Sequence, residues 1–125
     1  MGRVARIFIG FAVAVSIVQS AQANSLRTDR LLEKCNGADG KPQVSAAYCV
    51  GWMSGFVDAL KAVRRAVPAS TPETAQALVC PPPPGISTHL AIQLFLKYAA
   101  DHPHDRHEDA GTTVLMALRK AFPCA

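Results

Sequence analysis

The chain has no apolar run of twenty residues, no CxxC or CxxCH, no GxSxG, no HExxH and no glycine-rich phosphate loop. Each gap removes a class. A bilayer-spanning helix needs about 20 predominantly apolar residues, so a permanent membrane anchor is not expected. Without CxxC or CxxCH, thioredoxin-like redox chemistry and covalent haem attachment lose their usual sequence support. Without GxSxG or HExxH there is neither a nucleophile elbow nor a zinc-protease helix. No stretch shows sustained period-two alternation and no internal repeat is visible, which argues against strands and solenoids. The charge is also modest once its source is traced. The whole chain carries 13 Lys+Arg against 9 Asp+Glu, but discounting Arg3 and Arg6 leaves 11 cations and a net charge of +2. That is too little, and too dispersed, for a nucleic-acid partner, which calls for a concentrated basic face.

What is present begins with an address. Arg3 and Arg6 form a basic n-region, Ile7 to Val18 an apolar h-region of ~12 residues, and Ala21-Gln22-Ala23 an A-x-A cleavage signal. Residues 1–23 are therefore expected to be a cleavable signal peptide, cut after Ala23, that delivers residues 24–125 to the periplasm as a single helical domain with no membrane attachment. No Cys follows the cleavage region as a lipoprotein would require, and the two arginines are not adjacent as a twin-arginine signal would require.

Four cysteines remain after export: Cys35, Cys49, Cys80 and Cys124. An even number in an oxidising compartment points to two disulfides, and a domain of 102 residues is small enough to need them.

Helical periodicity organises the rest. Residues 25–35 make a short helix with Leu26, Leu31 and Leu32 inward, and Asn36, Gly37, Gly40 and Pro42 supply a turn. The longest pattern runs from Ser45, a candidate N-cap, to Val67, with Cys49, Trp52, Met53, Phe56, Leu60, Val63 and Val67 on one stripe and Pro68 as the stop. Gly51, Gly55 and Ala59 lie four apart on an adjoining strip where a second helix can approach closely, either within the monomer or across a dimer seam. Thr71, Pro72 and Glu73 begin a brief connecting helix. Cys80 then leads into Pro81 to Pro84, an extended polyproline II spacer ended by Gly85.

Ser87 caps the next helix, with Leu90, Leu94, Phe95, Tyr98 and either Ile86 or Ala91 inward, and His102-Pro103 ends it. Asp105 to Glu108 has the spacing of a capping box for a last helix through Ala110, Val114, Leu115, Leu118 and Ala121, closed by Pro123. The fold class is all-α: a small disulfide-stapled bundle of four main helices plus a short connecting helix. In an up-down arrangement this ranks the pairings Cys35 with Cys49 and Cys80 with Cys124 first, the other connectivities remaining open.

Candidate chemistry is thin. His102, His104, His107 and their neighbouring carboxylates are the densest set of metal-ligand types, but Pro103 interrupts them and a polar turn explains them, so no metal and no cofactor is expected. Asp58 is the one acid within a mostly apolar helix, and pairing with Lys61 three residues on explains it better than catalysis. Lys61, Arg64 and Arg65 cluster on the polar side of the same helix as a solvated face. No catalytic set emerges, and partner-binding residues are unknown at this level.

The segment Tyr48-Cys49-Val50-Gly51-Trp52-Met53-Ser54-Gly55-Phe56-Val57-Asp58-Ala59 resembles the C-x-G-[aromatic]-x-x-G-x-x-D helix of the Rap/Tai family of type VI secretion amidase immunity proteins. Cys80 with its prolines and Gly85-Ile86-Ser87, Tyr98 with His102-Pro103, and the closing Ala121-Phe122-Pro123-Cys124 resemble later family motifs in the same order. Tyr48, Gly51, Trp52, Gly55 and Asp58 are the family-motif positions of the helix. The resemblance implies a non-enzymatic, all-helical periplasmic protein, often a homodimer, that neutralises a peptidoglycan-degrading amidase effector by occluding its active site. An alternative is an orphan helical module of structural or acid-stress type with no toxin partner.

Overall fold

The computed structural model describes residues 25–36, 43–68 and 70–124. The expected signal peptide, the turn residues Gly37, Gly40 and Pro42, and the side chain of Ser45 lie outside the described residues. Among those described, the order is α1 (Thr28–Asn36), α2 (Gln43–Ala66), α3 (Pro72–Ala77), α4 (Thr88–Asp101), a 3₁₀ turn (Pro103–His107) and α5 (Ala110–Ala121), with no strand. The all-α class and the division into four main helices and a short connector hold.

The bundle is built around α4, which touches α1, α2, α5 and the 3₁₀ turn. Its buried stripe is Ala91, Phe95 and Ala99, spaced four apart. The two alanines let neighbouring helices close in, and Phe95 fills the space between them. Leu31 from α1, Met53 and Val57 from α2, and Val114 and Leu118 from α5 complete the centre. Leu90, Leu94 and Tyr98 are only half-buried, so the inward face of α4 is narrower than its periodicity suggests.

Ser87 caps α4 by accepting the Leu90 N–H at 3.1 Å, and the Tyr98 carbonyl accepts the His102 N–H at its other end. Thr71 caps α3 with Pro72 inside it. Thr71 and Thr74 exchange side-chain and backbone hydrogen bonds in a reciprocal box.

Four boundaries depart from the sequence expectations. The helix α1 starts at Thr28, three residues late, because residues 25–27 are extended. A backbone bridge pairs Arg27 with Asp109, with Thr28 N–H donating to the Glu108 carbonyl at 2.9 Å and Ala110 N–H to the Leu26 carbonyl at 2.7 Å. The same bridge corrects the last helix. Residues 105–108 belong to the 3₁₀ turn, the Glu108 carbonyl is taken by Thr28, and α5 begins at Ala110 with no side-chain cap. Ala121 is exposed, and Ala117 and Thr113 are buried in its stead.

At α2 the helix already runs at Gln43, so Ser45 lies inside it and is not the cap; the nearest breaker upstream is Pro42. The fourth correction concerns the prolines. Pro81 to Pro84 do not continue as one extended rod: the peptide between Pro83 and Pro84 is cis, Gly85 takes φ +100°, and its N–H donates to the Pro82 carbonyl at 2.8 Å. The run is a tight turn, of the kind a cis proline at its third position makes, and the positive φ is why glycine closes it.

Two disulfides staple the ends. Cys35 at the close of α1 is bonded to Cys49 near the start of α2, with Cα atoms 5.1 Å apart, and Cys80 before the proline turn is bonded to Cys124 after α5, at 4.9 Å. The second lies beside a bridge between Val79 and Pro123 and a Cys80 N–H to Phe122 carbonyl bond of 2.9 Å.

Candidate functional site

The residues singled out from the sequence collect mainly on α2, which is buried on one face of its first half and open over most of the rest. Cys49, Met53 and Val57 face the core, Trp52 stacks on Phe56 at its margin with ring centroids 5.3 Å apart, and Leu60 is half-buried. Beyond Leu60 every residue to Val67 is exposed.

On a second face, Tyr48, Gly51, Gly55, Ala59, Ala62 and Ala66 recur every three or four residues and all are exposed. A Cβ added at Gly51 or Gly55 meets nothing within 4 Å among the described residues. Among the described residues nothing packs closely on this strip, so they do not supply the within-monomer explanation; Tyr48 in the strip is 45% exposed and Val63 beside it 46%. The helix–helix contact that does approach glycine closely is elsewhere. At Gly111 on α5 a Cβ would stand 3.4 Å from the Phe56 ring.

Asp58 flanks the strip and is solvent-facing, bonded to Lys61 at 3.2 Å. That is a surface pair of the ordinary i, i+3 kind, worth little to stability.

The histidines do not assemble. His102 stacks on Tyr98 at 3.9 Å between centroids and its Nδ1 lies 2.8 Å from the Tyr98 carbonyl. His107 accepts at Nδ1 from the Arg27 guanidinium at 2.9 Å, which leaves the ring proton to Nε2 when the imidazole is uncharged. Among the described residues no three His, Cys, Asp or Glu side chains converge as metal ligands. The Tyr98 phenol is pushed above its ordinary value by burial and then by the negative charge of Asp105. It sits at the edge of a shallow concavity of about 410 Å³ formed with α3 and the end of α5, with the Lys120 ammonium 5.9 Å over its ring.

A larger groove, about 630 Å³, opens where the proline turn lies against the second half of α2. Val57, Val79 and Ile86 form its base, and Lys61, Arg64 and Arg65 its cationic wall. Arg64 ties the two sides together by donating to the Pro81 carbonyl at 3.4 Å. Sequence reasoning identified the prolines and the basic cluster separately and missed their adjacency, because nothing local connects residues 17 positions apart.

The arrangement offers surfaces for contact and no reacting group. Compared with protein-family models, residues 27–124 match that of the Rap1a immunity proteins. The chain belongs to the Rap1a immunity protein family. Comparison with curated proteins and with solved structures finds no match. Membership makes the protein a non-catalytic inhibitor of the type VI effector immunity class, whose work is to bind an effector. The two disulfides and the family fit an exported, periplasmic protein, and among the described residues no helix is long and apolar enough to cross a membrane.

Proposed function

We propose that this immunity protein neutralises a peptidoglycan-degrading amidase effector in the periplasm by covering the effector's active-site cleft. Family membership across residues 27–124 carries the reading. Its physical support is a disulfide-stapled core that holds the first half of α2 in place while the outer face and second half of that helix stay exposed, so that little ordering entropy is lost on association. The protein arrives by way of the signal peptide at residues 1–23, removed after Ala23, and residues 24–125 act as one domain. It works as a homodimer, in which the open Tyr48–Gly51–Gly55 strip of α2 packs against a second copy.

The experiment is direct. Type VI amidase effectors are incubated one at a time with purified cell-wall sacculi, with and without residues 24–125, and released stem peptides are counted. Inhibition that saturates at a fixed molar ratio is expected; undiminished amidase activity at molar excess would sink the proposal. Light scattering on the same preparation reads the association state, and the mass of the periplasmic product reads the cleavage site.

A further inference from the structure

The groove between the proline turn and the second half of α2 is assigned no role by the family or by the fold. Its base is part of the core: Val57, Val79 and Ile86 are all under a tenth exposed. One wall is a proline turn that presents carbonyl acceptors and, from Pro81 to Pro84, no amide donor. The other wall is cationic. Lys61 shares Asp58, whereas Arg64 and Arg65 have no carboxylate partner among the described residues. They also sit in the last turn of α2, where they offset the helix dipole, so their charge is held in place by the fold.

We propose that this groove grips an acidic segment of the effector that carries an apolar side chain, with the carboxylates meeting Lys61, Arg64 and Arg65 and the apolar group resting on Val79, Ile86 and the proline rings. Charge complementarity selects the occupant: the wall holds three cations and one shared carboxylate. An extended acidic segment also supplies backbone N–H donors for the Pro83 and Pro84 carbonyls, which have none among the described residues, whereas Pro81 and Pro82 already accept from Arg64 and Gly85. The wall is preorganised by the Cys80–Cys124 disulfide, the Gly85 to Pro82 hydrogen bond and the Arg64 to Pro81 contact, and prepaid rigidity of this kind favours tight binding. The proposal rests on the inhibitor reading and names the part of the effector that is held.

The test uses residues 24–125 and a fluorescein-labelled peptide, Glu-Glu-Phe-Glu-Leu-Glu-Glu, read by fluorescence anisotropy. Binding is expected, weakened about tenfold by Arg64→Glu with Arg65→Glu and weakened as salt rises from roughly 50 mM to roughly 300 mM. Glycine in place of the peptide's Phe and Leu is expected to weaken it too. Arg30→Glu with Arg106→Glu, the same charge change elsewhere on the surface, is expected to leave it unchanged.

Because Arg64 also holds Pro81, Arg65→Glu alone is measured as the variant that spares that contact. No binding, or binding indifferent to Arg65→Glu and salt, overturns the proposal. So does equal or tighter Arg65-dependent binding to phosphatidylglycerol vesicles, which would make the groove a membrane contact. Peptide binding in a protein that leaves the amidase active would retain the groove and remove the amidase reading; amidase inhibition without peptide binding would do the reverse.

Discussion

The two halves of α2 live in different surroundings. Up to Val57 the helix is pinned, with Cys49 bonded to α1 and Met53 and Val57 in the core. From Asp58 to Val67 it stands clear of the bundle, with only Leu60 half-covered. Away from α2, where the start of α1 meets α5, two polar side chains are buried and paired. Thr28 donates its hydroxyl proton to the Glu108 carbonyl at 2.9 Å, so in the 2.7 Å contact with Thr113 it must accept. The free end carries only an exposed ion pair and the Arg64 contact. Stability is thus concentrated in α1, α4, α5 and the first half of α2, and the second half can change its surface chemistry at small cost to the fold.

The largest expected effect breaks this contrast at its core. Phe95→Ala should cost about 3–5 kcal/mol in urea unfolding, whereas Val63→Ala, on the free half, should stay within about 0.5 kcal/mol. Similar costs at both sites would show that the free half is covered by something, most simply a second copy. Next, Thr28→Val removes the acceptor of the buried Thr113 hydroxyl and should cost about 1–3 kcal/mol, with the double variant Thr28→Val and Thr113→Val recovering part of that loss. If the two substitutions simply add, the hydroxyl pair is not coupled.

Gly55→Leu separates folding from association. Among the described residues nothing stands within 4 Å of a Cβ there, and leaving glycine gains up to about 1 kcal/mol of helix propensity. Monomer stability should therefore not fall, while a dimer built on the Gly51–Gly55 strip should dissociate in light scattering. A loss of monomer stability would contradict the open strip.

The smallest effect is alkaline. The Tyr98 phenol is raised above 10.0 in the folded protein, first by burial and then by Asp105. A raised value means the folded state holds the proton longer, so the stabilisation is complete below about pH 10 and is lost as pH climbs through the raised value. Melting temperatures from about pH 9 to about pH 11 should fall less steeply in Asp105→Asn than in the parent chain.

Much of the architecture was legible because it is local. Ser87, Thr71 with Pro72, and the separate 3.6-residue stripes that carry Leu31, Met53, Phe95 and Leu118 on their own helices act within a turn or two of helix, and periodicity records such features directly. The pairs Cys35–Cys49 and Cys80–Cys124 follow once helices are ordered as hairpins.

The failures have the opposite character. Asp105-Arg106-His107-Glu108 has capping-box spacing, but the Glu108 carbonyl is claimed by Thr28 from 80 residues away, and a tertiary bond overrides a local preference. The glycine strip reads alike whether it is buried or open, since small residues announce close approach without saying by what. The proline run was read by composition alone, and its bend against Arg64 depends on where α2 ends. For the candidate site, the sequence supplied the residues and the structure their company.

The bridge that ties residues 26–28 to residues 108–110 has a meaning in time as well as in space. Leu26 and Thr28 are among the first residues of the domain to be made, and their partners are among the last. The first helix packs on α2 and is bonded to it through Cys35 and Cys49, but the bridge that fixes its start cannot form without residues 108–110. Its closure is a long-range event of the kind that slows folding in proteins rich in distant contacts. The domain is thus joined at its two ends as well as through its core.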